Sequence, residues 1–159
     1  MPITAIEKKL IQDSFAKVAP IADQAAEIFY AKLFEYDPSL KVLFKGDMKT
    51  QGKKLMTTLG VAVKGLDNLD SLIPVLQGLA TKHVSYGVKV DDYTPVGNAL
   101  LFALKTGLGN QFDDKTRNAW IKIYNTIATV MRSAAYPGFD PNTYKNTRAY
   151  NRQGQRNSA

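Results

Sequence analysis

The chain has a single histidine, His83, and no cysteine. Without thiols there are no disulfides, iron–sulfur clusters, thiolate zinc sites or cysteine nucleophiles. One imidazole also removes zinc hydrolase sites, non-haem iron and serine or cysteine triads, each of which needs several partners around the working atom. Haem is the exception, because the porphyrin supplies four nitrogens and one neutral imidazole completes the protein's share. Leu72, Leu76 and Leu79 precede His83 on one helical stripe and Tyr86 follows three residues later, so the ring is expected to point inward. By itself this pattern equally describes a hydrogen-bonded core histidine, which is the commoner case.

The elements that must carry such a residue follow from periodicity. Thr4-Ala5-Ile6-Glu7 has capping-box spacing, and Ile6, Leu10, Ile11, Phe15 and Val18 follow at helical intervals to about Pro20. That proline suits the opening of a second helix, with Ala25, Ile28, Phe29, Leu33 and Phe34 on its apolar face. Asp37 and Pro38 predict the cap and first residue of a short third helix, ending at Lys45-Gly46-Asp47. Thr50 to about Leu66 reads as an amphipathic helix, and Asp67-Asn68 separates it from the helix carrying His83, which Gly87 ends. Two more are predicted, from near Asp91 to Gly107-Leu108-Gly109 and from near Asp113 to before Pro137-Gly138. No two-residue alternation demands a sheet, and there is neither an internal repeat nor a sustained heptad. The fold class is all-α, an irregular packing of about seven helices.

Phe29-Tyr30-Ala31-Lys32-Leu33-Phe34, then Pro38 and Phe44, Gln51 and Leu55, Lys82-His83 and Tyr93 are common residues taken singly. In this order and spacing the chain resembles bacterial single-domain globins, which are related to the haem domain of flavohaemoglobins and carry a Tyr/Gln distal pair. The resemblance runs from about residue 5 to residue 136. It implies a three-on-three helical sandwich around haem b, iron protoporphyrin IX, with residues 1–136 as the globin domain. His83 takes the proximal iron-ligand position, and Phe44 the place of an aromatic ring lying flat on the porphyrin. Tyr30, Gln51 and Leu55 fall on the opposite, ligand-binding side, Leu55 as an apolar wall and cofactor contact. Leu79, Lys82 and Tyr93 join the cofactor contacts, and Lys54 is the best placed of the lysines to meet a propionate, with Lys89 less securely placed.

The implied function is reversible binding of O2, or of CO or NO, with slow release, because a phenolic O–H and an amide N–H favour a bound ligand carrying partial negative charge. An alternative is nitric oxide dioxygenase chemistry with electrons from a separate reductase, since no Gly-rich dinucleotide motif is present. Tyr93 matches the tyrosine that family members of that kind place beside the histidine, but their glutamate aligns with Ala135. A third reading is a gas sensor with the tail as its output. Lys41, Lys45, Lys49, Lys53 and Lys54 form a basic stretch that solvation alone accounts for, or that docks an acidic reductase.

Net charge is +7, and residues 137–159 carry Lys145, Arg148, Arg152 and Arg156 against Asp140. Few apolar residues accompany them, so a disordered solubilising tail is expected, with nucleic-acid or anionic-lipid contact as the minor alternative. No apolar run is long enough to span a bilayer and the first residues lack a secretory pattern, which makes a cytoplasmic location the expectation.

Overall fold

The computed structural model describes residues 3–148 and is all-α, with no strand among them. Six α-helices follow in order: α1 (Ala5–Val18), α2 (Ala22–Tyr36), α3 (Met48–Lys64), α4 (Leu69–Ser85), α5 (Tyr93–Leu108) and α6 (Asp114–Ala135). Their ends lie where short polar side chains satisfy orphan amides. Thr4 and Glu7 form the reciprocal capping box of α1. Asp47 caps α3, Asn68 caps α4 and Asp113 caps α6 through their side-chain oxygens. Pro20 opens not α2 itself but a single 3-10 turn, Ala19–Ile21, that links α1 to it.

The short third helix is a 3-10 helix, Pro38–Leu43, rather than an α-helix. Its amides bond three residues back, Leu40 to Asp37 and Phe44 to Lys41. Pro38 has no amide and Phe44 is already extended, so the segment is too short for the wider α-turn to propagate.

Packing divides the interior. Faces of α1, α2, α3, α5 and α6 build one cluster around Ile11, Leu33, Leu104 and Trp120, each 2% exposed or less. Burying a side chain such as Leu33 stabilises the fold by about 1.5–3 kcal/mol. Trp120 Nε1 is satisfied inside this cluster by Ser14 Oγ at 2.9 Å. Leu72, Leu76 and Ala80 of α4 build a second cluster with Tyr93, Ala128 and Met131. Thus α3 leans on α2 and α1, and α4 on α6, while α3 and α4 have no extensive packing on each other. The two clusters meet at Leu69, Tyr124 and Ile127, which pack against both.

Glycine matters where backbones or rings come close. Gly97 in α5 leaves room for the Tyr124 ring of α6, which an added Cβ would meet at 2.6 Å. Gly87, at φ +98°, turns the chain after α4.

The expected domain boundary falls where α6 ends. Beyond it, residues 140–148 return to the connection between α4 and α5. Tyr144 Oη donates to Asp91 Oδ1 at 2.5 Å, and Asn146 Nδ2 to the Asp91 carbonyl at 3.2 Å and to Thr94 Oγ1 at 2.9 Å. The Thr147 amide and hydroxyl donate to Asp91 Oδ2, and Arg148 pairs with Asp92 and, at 3.5 Å, with Asp37. The polar composition that predicts a solvated tail is, in this stretch, composition used in contacts. Arg152 and Arg156 lie outside the described residues.

Candidate functional site

His83 lies near the C-terminal end of α4 and is half-buried. Its Nδ1 is 2.8 Å from the carbonyl oxygen of Leu79, one turn earlier. A carbonyl only accepts, so Nδ1 carries the proton and the lone pair of the neutral ring sits on Nε2. Burial pushes the imidazole pKa down and outweighs the opposing effect of the Leu79 bond. The ring is therefore held neutral, in the tautomer that offers Nε2 as a ligand. Among the described residues no group of three His, Cys, Asp or Glu side chains could hold a metal unaided. A metal at His83 has to bring its own equatorial donors, and the donor set fits haem.

Tyr30 sits in α2 at 7% exposure, within the cluster that contains Trp120. Its ring packs edge-on to Phe29 and Phe44, with centroids 5.0 and 5.2 Å away, and is stacked with Phe34 at 6.1 Å. Its hydroxyl donates to the backbone carbonyl of Gln51 at 3.3 Å. Burial pushes the phenol pKa up to about 12, so the group stays a proton donor at physiological pH. Pairing of Tyr30 with Gln51 thus runs through the Gln51 main chain. The Gln51 amide Nε2 instead reaches toward the Lys45 carbonyl at 3.5 Å, at the limit of a hydrogen bond.

Phe44 closes the Pro38–Leu43 segment and also packs edge-on to Phe34, with ring centroids 5.5 Å apart. Leu55, one turn after Gln51, is partly buried and lines a small apolar cavity with Phe29, Met56 and Leu104. Leu79 packs into the second cluster. Lys54 and Lys82 are exposed, as are Lys41, Lys45, Lys49, Lys53 and Lys89.

Tyr93, the first residue of α5, is 5% exposed and its hydroxyl is buried with no hydrogen-bond partner among the described residues. Burial, helped by the neighbouring Tyr136, raises its pKa. The Tyr136 ring stands edge-on to it with centroids 6.5 Å apart, and the Arg132 guanidinium lies 5.3 Å over its face. Ala135, the position where the resemblance implies a glutamate in nitric-oxide-detoxifying members, is partly buried against the same cluster, and its side chain supplies no acceptor. The buried carboxylates nearby are Asp91 and Asp92, which the sequence analysis did not single out. Adjacent acids at the start of an apolar helix, 5% and 3% exposed, were their only sequence signal.

Comparison with known proteins identifies the family to which this fold belongs. The globin family profile matches residues 27–131. The chain is 30% identical over 139 residues to a neuroglobin of Danio rerio, covering 79% of this chain and 87% of that protein. It is 29% identical over 126 residues to a flavohemoprotein of Halalkalibacterium halodurans, covering 77% of this chain but only 31% of the relative's length. Among solved structures, a hexacoordinated haem protein from an anhydrobiotic tardigrade superimposes with a TM-score of 0.78 at 20% identity, over 84% of this chain and 96% of the other. An engineered carbene transferase from Rhodothermus marinus does so with a TM-score of 0.75 at 22% identity, over 84% and 93%.

Proposed function

The chain belongs to the globin family, and on that premise we propose that it holds haem b through His83 Nε2 and binds O2, or CO or NO, reversibly on the side of Tyr30 and Gln51. The observation that carries this is the fixed tautomer of His83, with Nδ1 committed to Leu79 at 2.8 Å. When bound, haem supplies an iron that takes up and releases a diatomic gas.

The remaining work belongs to the chain's own residues. Leu79 orients the imidazole and holds the proton at Nδ1. Phe44, Leu55 and Phe29 keep the opposite wall apolar and exclude water. Tyr30 holds its proton near Gln51 and turns it toward a ligand that carries partial negative charge, which strengthens the bond to that ligand relative to the departing neutral gas. Leu79, Lys82 and Tyr93 supply further cofactor contacts, and Lys54 offers a cation to a propionate.

Absorption spectra of the purified full chain, ferric, ferrous, and ferrous under O2 and under CO, test the proposal. One haem per chain and a ferrous form that takes up both gases reversibly are expected. A chain that takes up no haem overturns it.

Similarity to about a third of the length of a flavohemoprotein, 31% of it, supports a second reading, nitric oxide dioxygenase activity with a separate reductase. The histidine's partner is a backbone carbonyl and Ala135 adds no carboxylate, so the electron push on the iron is modest and the binding function stands first. Sustained consumption of nitric oxide with a reductase, ceasing without it, decides for the enzyme.

A further inference from the structure

The connection after α4 is held from one end of the chain. The His83 carbonyl accepts the amides of Tyr86 at 3.1 Å and Val88 at 3.0 Å, so the turn at Gly87 folds back onto the histidine's own peptide group. The next residues are then gripped from outside. Tyr136 Oη donates to the Val88 carbonyl at 2.6 Å and Arg132 Nε to the Val90 carbonyl at 2.9 Å. Asp91 accepts from Tyr144 and Thr147 at its carboxylate and from Asn146 at its carbonyl.

Arg148 extends the grip to α2. Its guanidinium bridges Asp92, immediately before α5, and Asp37, which ends α2, and the two carboxylate side chains are 3% and 1% exposed. Buried carboxylates need a compensating charge, so this cation helps to hold the two segments. The same two segments touch a second time, since a Cβ at Gly87 would lie 3.2 Å from Leu43 Cδ2. The end of Tyr30's helix and the connection that follows the histidine's helix are therefore tied together by a residue belonging to neither.

We propose that residues Tyr144–Arg148 are a positioning strap for His83: by docking on Asp91, Asp92 and Asp37 they fix the turn after α4 and set the orientation of the imidazole toward the iron. The inference rests on the haem reading above. A strap that serves only stability would alter melting and leave the histidine's bond to the iron untouched, whereas a positioning strap changes that bond.

The test uses the full holoprotein beside Arg148→Met and Tyr144→Phe. Three quantities are read: haem bound per chain, the iron–histidine stretching band of the ferrous form, and the rate of CO association. Both variants are expected to bind one haem, to shift or broaden the band and to change CO association several-fold, with Arg148→Met the larger effect. Should Arg148→Met fail to fold, because a buried ion pair is lost, Tyr144→Phe decides, since it removes one hydroxyl and no charge. A band present in the unaltered chain and unmoved in every variant that folds overturns the strap alone. No such band in the unaltered, haem-loaded chain overturns the assignment of His83 and the strap with it.

Discussion

The phenolic oxygen of Tyr30, buried in α2, lies 3.3 Å from the main-chain carbonyl oxygen of Gln51 in the first turn of α3. This long bond between neutral groups is a resting place for the proton, which a ligand bearing partial charge outcompetes. Charge-assisted bonds contribute roughly 1.5–3 kcal/mol against about 1 for neutral ones. Tyr30→Phe is expected to speed O2 release by about one decade, with haem uptake retained. Stopped-flow displacement of O2 by CO measures it, and an unchanged rate removes Tyr30 from ligand binding.

Substituting Gln51 tests the other half of the pair. Because Tyr30 uses the backbone carbonyl, Gln51→Leu leaves that acceptor in place and deletes only a partly exposed amide. O2 release is expected to change by less than for Tyr30→Phe, and the double variant to behave much like Tyr30→Phe alone. A Gln51→Leu effect as large as that of Tyr30→Phe shows that the amide, turned inward, is a main donor.

Gly97→Ala is expected to destabilise the protein by about 1–3 kcal/mol, because the new methyl meets the Tyr124 ring at 2.6 Å. That ring is not free to retreat, since Tyr124 Oη donates to the Tyr93 carbonyl at 2.6 Å. Urea melts of Gly97→Ala, Tyr124→Leu and the double variant check this. Strongly non-additive losses are expected, and simple additivity counts against the clash.

Acid is expected to loosen the strap. Burial pushes the Asp91 carboxyl up, but the Thr147 and Tyr144 hydroxyls, the Thr147 amide and the Arg148 charge together hold it below the ordinary carboxylate value. The other charged groups of this corner are Asp92, Asp37 and Arg132. In the window below about pH 3.9 the unfolded chain binds the extra proton, so this contribution is complete above that pH and lost as pH falls through the folded value. Amide exchange of residues 88–92, followed down through this range, is expected to accelerate in the unaltered chain and to depend less on pH in Asp91→Asn.

Local signals were legible in the sequence because they act over a few residues. Thr4 with Glu7, Asp37 with Pro38, and Asn68 mark helix starts that the structure keeps. Helical spacing also put Leu72, Leu76 and His83 on one helix. What the sequence could not carry was pairing at a distance. That Tyr30 meets the main chain rather than the side chain of Gln51 depends on how α2 and α3 cross. Asp91 and Thr147 are separated by 56 residues, and nothing in either segment announces the other. A polar, basic stretch has the same composition whether water or a buried carboxylate receives it.

Because α4 leans chiefly on α6 and not on α3, the main cluster around Trp120 does not need the histidine's helix in order to form. That helix's main support is α6, through Leu72, Leu76 and Ala80 against Ala128 and Met131, so a substitution at Ala128 or Met131 reaches the histidine's helix without passing through the Trp120 cluster.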